Sequence, residues 1–130
     1  MEKETNKEEF IAAIKIAVHD SSIRGMKELL TSPPGRRPRA KLKRNSEWFN
    51  TSPETERQRV EDIITDTVHF TPFNFPCVLD GVKAIENTPE KGTLQLYFTK
   101  NGEKSHLNSE VGEMLHNLYQ SVVQDEVRGE

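Results

Sequence analysis

Thr93-Leu94-Gln95-Leu96-Tyr97-Phe98-Thr99-Lys100-Asn101-Gly102 decides the fold class. Leu94, Leu96 and Phe98 alternate with polar or amphipathic neighbours, the period-two pattern of a half-buried strand. Asn101-Gly102 then supplies the two residues that most readily adopt positive φ, the signature of a type I′ hairpin that returns the chain through 103–107. Upstream, Val82 and Ile85 predict a further strand over 82–87, joined by a turn at 87–92. Helical periodicity surrounds this stretch on both sides. The expected fold is therefore α+β, with amphipathic helices packed on a small antiparallel β-meander of two to three strands.

N-terminal to the meander, Phe10, Ile11, Ile14, Ala17 and Val18 recur at helical spacing and predict a helix over 6–19. Asp20, Ser21 and Ser22 offer caps for a second helix or a bent continuation, whose stripe of Ile23, Met26, Leu29 and Leu30 stops at Pro33-Pro34. Ser52-Pro53-Glu54 predicts another helix start, a capping serine before a proline that has no donor to lose. Val60, Ile63, Ile64, Thr67 and Val68 form its expected buried face, and Thr71-Pro72 is expected to interrupt it. Phe70 to Leu79 then reads as a short central helix ending at Asp80-Gly81. After the hairpin, Asn108 or Ser109 is expected to cap a last helix buried through Val111, Met114, Leu115, Leu118 and Val122, packing across the meander.

With 130 residues the chain is expected to form a single domain, 1–130, including a basic Pro-rich surface loop at 33–46 and a frayed tail at 125–130. Hydrophobic residues make up 33% and charged residues 30%, a composition that supports only a thin core. The net charge of −3 is unevenly spread. Arg36, Arg37, Arg39, Lys41, Lys43 and Arg44 fall in one acid-free segment, and the rest of the chain carries 12 basic against 21 acidic side chains. That segment is a candidate anion site, because guanidinium forks match phosphate oxygens. Its ordinary reading is a solvated loop balancing an acidic body, since nucleic-acid binders interleave aromatics with their cations and Trp48 and Phe49 are read as core anchors.

Cys77 is the only cysteine, so no intrachain disulfide forms, and the start of the chain lacks the apolar stretch of a signal peptide. The expected location is cytoplasmic, without membrane contact. His69, Cys77, Asp80 and His116 are the one set whose residue types suit a metal or acid–base site, but paired zinc-ligand spacing is missing, and neither a metal nor a cofactor is expected. No glycine-flanked serine elbow or phosphate loop is present, and Cys77 sits in an apolar run that would leave it inert. A small enzyme would need a pocket near Trp48, Asp80 and His116. Phe70, Phe73 and Phe75 are the candidate interface, for a protein partner or for self-association.

PPGRRP at 33–38, Trp48-Phe49-Asn50, CVLDGV at 77–82 and LNSEVGEMLHNLY at 107–119 resemble a family of small uncharacterised bacterial proteins across nearly the whole chain. The resemblance implies a bacterial cytosolic origin and no particular activity. The expected function is a non-enzymatic interaction or accessory module. A regulator touching nucleic acid through 36–44 is the second reading, and an enzyme is the third.

Overall fold

Asn6 opens the first helix by accepting the Glu9 amide on its side chain at 2.8 Å, with Glu8 and Glu9 in the turn where the helix dipole favours acids. The computed structural model describes residues 6–128, and side chains as far as residue 124. Helix α1 (Lys7–Ile14) passes without a break into a π-helical segment (Lys15–Asp20) and then α2 (Ser21–Thr31). The bent-continuation reading is the one realised, and the serines do not cap: Ser21 Oγ donates instead to the Ile16 carbonyl, five residues back. π-Helical turns of this kind redirect side chains at a strain cost, and here the turn sends His19 inward.

The basic loop is shorter than expected. Helix α3 (Ala40–Thr51) takes in Lys41, Lys43, Arg44 and Trp48, so only 33–39 is loop. Leu42, Ser46 and Phe49 turn inward at i, i+4, i+7, and the serine at the centre of that stripe disguises it. Asn50 Nδ2 donates to Ser46 Oγ and to the Thr31 carbonyl, tying α3 to α2.

Helix α4 (Glu54–Leu79) runs through both Pro72 and Pro76, against the expected interruption. The two prolines stand four residues apart, so their missing donors lie on one side of the helix, and both rings are buried there. Ser52 is not the cap either; its hydroxyl donates to the Trp48 carbonyl at 2.6 Å and closes α3. The inward face is made of half-buried Val60, Ile64 and Val68, while Ile63 and Thr67 face out. Gly81 ends α4 at φ 78, where the left-handed backbone favours glycine.

From Val82 to Leu96 the chain is irregular, and the strand expected at 82–87 is absent. Asn108 takes over the work of strand pairing. Its amide donates to the Leu79 and Leu94 carbonyls and its oxygen accepts the Leu96 amide, all within 2.8 Å. The sheet is the hairpin alone, β1 (Tyr97–Lys100) with β2 (Glu103–His106), Tyr97 facing His106. Asn101 and Gly102 hold φ of 52 and 81, the type I′ geometry.

Helix α5 (Leu115–Arg128) starts later than the stripe suggested, leaving Val111 82% exposed, and it lies against α4 and α1 instead of across the hairpin. Within the expected tail, 125–128 continue α5 and residues 129–130 lie outside the described residues. The core joins the two ends of the chain: Ile11 meets Leu115, Tyr119 and Val123, with Phe10, Phe73, Leu79 and Leu118 packed around them. Lys7 fastens the seam, its ammonium donating to the Ser109 carbonyl, to Val111 at 2.8 Å and to Glu113 at 3.0 Å.

Candidate functional site

The aromatic cluster divides. Phe73 turns inward, packs on the core and meets the His116 ring edge-on at 6.2 Å. Phe70 and Phe75 stay 64% and 63% exposed, and, five residues apart, they point to different sides of α4. Phe70 instead falls in line with Ile63, 59% exposed, and with exposed Thr67 and Asn74. The spacing 63, 67, 70, 74 is the four-three-four step of a heptad seam. Among the described residues the Lys83 ammonium reaches its end, donating to Asn74 at 3.3 Å, while Ile63, Thr67 and Phe70 stay exposed.

Asp80 and His116 come together, but in a structural role. The Asp80 carboxylate is 4% exposed, and one of its oxygens accepts both the His116 backbone amide at 2.8 Å and the ring Nδ1 at 2.7 Å. A carboxylate from the end of α4 thus caps the start of α5, satisfying an amide that the helix itself leaves open. Trp48 is elsewhere, on α3 against α2. The pocket expected from these three residues does not form around them. A cavity of about 740 Å³ does open beneath 82–96, with Asp80, Lys83, Lys91 and His106 in its wall.

Cys77 is buried, and burial pushes its thiol above the ordinary value, with the Asp80 charge adding to the effect. His69 stands 5.6 Å from His19, and burial lowers its pKa, helped by His19 and opposed by Asp66. Among the described residues no three His, Cys, Asp or Glu side chains gather where a metal ion could sit.

The sequence gives no warning of a polar group inside the core. His19 Nδ1 donates to the Asp20 carboxylate at 2.9 Å, while its Nε2 is buried without a partner. The Tyr119 hydroxyl is likewise buried and unpartnered, the two rings lying 6.3 Å apart. Burial, with Asp20 adding, pushes Tyr119 up to about 12. Burial also raises Asp20, but hydrogen bonds from His19 and Lys15, with their charges, outweigh it and leave that carboxyl below its ordinary value.

The six cations at 36–44 are all exposed, and none pairs with a carboxylate among the described residues. Trp48, expected as a core anchor, is 54% exposed, and Phe49 alone fills that role. No helix of the described residues is long and apolar enough to cross a membrane. Compared with known proteins, the chain matches no family model, no curated sequence and no solved structure.

Proposed function

We propose that this protein is a non-enzymatic interaction module that works as a symmetric dimer, joined through the outer seam of α4. The supporting observation is the outer face of α4, where Ile63 and Phe70 stay 59% and 64% exposed in line with exposed Thr67.

A second copy fits the seam because the seam is self-complementary. Antiparallel pairing about a two-fold axis near Thr67 sets Ile63 of one copy on Phe70 of the other, and the symmetry repeats the contact. The side chains with catalytic potential are committed elsewhere: Asp80 and His116 hold the start of α5, and Cys77 is a buried thiol. The bacterial cytosol implied by the resemblance is the setting in which such an accessory protein would act.

Light scattering on the eluting protein tests this directly. The wild type should run at about twice 14.9 kDa, and Phe70→Asp or Ile63→Asp should halve that mass without loss of helicity. A monomer at about 100 µM wild-type protein would overturn the proposal, since two desolvated anchors should give a dissociation constant well below that.

A further inference from the structure

We infer that the outer face of α3 binds single-stranded nucleic acid, Trp48 stacking on a base while Lys41, Arg44 and the arginines of 36–39 hold phosphates. On α3 the residues Lys41, Arg44 and Trp48 stand at i, i+3, i+7, so they share one side of the helix, and all three are exposed. The other side of the same helix carries Leu42, Ser46 and Phe49, turned into the protein. Arg36, Arg37 and Lys43 line an adjoining groove of about 410 Å³, with Glu47 the one acid in its wall. The helix adds its own field. Its first turn holds no acid and its N-cap, Arg39, makes no side-chain cap, so the positive end of the dipole lies among the cations.

Several alternatives fit less well. A solvated loop needs no exposed tryptophan, and leaving an indole half in water forfeits burial that its neighbour Phe49 achieves one residue later. A lipid surface calls for an apolar helix face, and the apolar residues of α3 point the other way. Duplex bases are already stacked, so an indole gains a π-face only from an unpaired strand. The acidic remainder of the chain confines polyanion binding to this one face.

Trp48 is the only tryptophan, so its fluorescence reports this face alone. Titration of the full-length chain with a thymidine oligonucleotide of about 15 residues should quench that emission. Five phosphate contacts, from Lys41, Arg44, Arg36, Arg37 and Arg39, predict a roughly 100-fold loss of affinity between 50 and 200 mM salt. Read by the anisotropy of a dye-labelled oligonucleotide, because these variants have no tryptophan, Trp48→Ala at this exposed position should weaken binding about 5- to 150-fold while Trp48→Phe retains most of it. Changing Arg36, Arg37 and Arg39 to Ala should flatten the salt dependence.

Heparin, a duplex of equal length and vesicles of phosphatidylglycerol serve as comparison ligands. Quenching by the oligonucleotide that exceeds all three supports the inference. Equal binding to heparin without quenching, a response to vesicles alone, or no oligonucleotide binding at 50 mM salt would each overturn it. None of these outcomes depends on the α4 seam, since the mass measurement judges that separately.

Discussion

Replacing Asp80 with alanine should be among the costliest single changes available in this chain. The carboxylate is buried, and one of its oxygens serves two donors of His116, the backbone amide and the ring. Truncation leaves both donors without an acceptor and uncaps α5, whose Leu115, Tyr119 and Val123 pack with Ile11 in the core cluster. Leaving two buried donors without their acceptor, at about 1–3 kcal/mol each, costs about 3 kcal/mol or more. With a urea m-value of about 2 kcal/mol/M, the midpoint should fall by roughly 1.5 M. His116→Ala supplies the internal control, because it removes the ring but leaves the amide that Asp80 caps. It should therefore cost clearly less, about 1–2 kcal/mol. The assay is urea unfolding followed by far-ultraviolet circular dichroism at fixed protein concentration. A midpoint for Asp80→Ala within about 0.3 M of wild type, or a larger loss for His116→Ala, would refute the capping role.

Tyr119→Phe removes a buried hydroxyl that has no partner, so it should leave stability unchanged or raise it by about 1 kcal/mol, read from the same unfolding curves. Asn108→Ala cuts three hydrogen bonds at once and should speed amide exchange across 82–96 while α1 and α5 stay protected, as hydrogen exchange would show. Acid should weaken the fold in two stages. His69 has a lowered folded pKa, so the unfolded chain binds the proton first; stability is full above about 6.5 and drains as pH falls through the folded value. Asp20, also lowered, adds a second loss below about 3.8. At the alkaline end Tyr119, raised to about 12, holds its stabilisation below pH 10 and loses it as pH climbs toward 12. His69→Gln should flatten the first acid stage, and an unfolding midpoint already flat from pH 7.5 to 5.5 in the wild type would refute it.

What the sequence makes legible is local. The helix start near residue 6, the type I′ turn at Asn101-Gly102 and the stop at Gly81 all appear where short-range chemistry places them. The α+β class follows from the same signals. Long-range partners are another matter, because nothing near Asp80 in the chain announces that it will cap a helix 36 residues later. Asn108 illustrates the same blindness from the other direction: its amide replaces a strand, so Val82 and Ile85 look like a sheet and are not. The prolines of α4 mislead because their local penalty is real but is offset by burial that only the folded chain provides.

For the candidate site, the six cations were visible, yet their meaning turned on Trp48. Reading Leu42, Ser46 and Phe49 as one stripe would have turned Trp48 outward, but a serine at its centre broke the pattern. The seam on α4 was half visible through Phe70, while Ile63, assigned to the core from its spacing, belongs to the outside. Tyr119 was legible in principle, four residues from both Leu115 and Val123, although the unpartnered hydroxyl it carries inward was not.

Lys7 reaches across more than a hundred residues to the carbonyls of 109–113, and Ile11 waits for Leu115, Tyr119 and Val123. During synthesis the first rod, Lys7–Thr31, therefore leaves the ribosome without the surface it will eventually cover. At 5–20 residues per second the stretch from Ser32 to Val123 takes roughly 5–20 s to arrive. For that interval Ile11 is without the apolar residues that cover it in the folded chain.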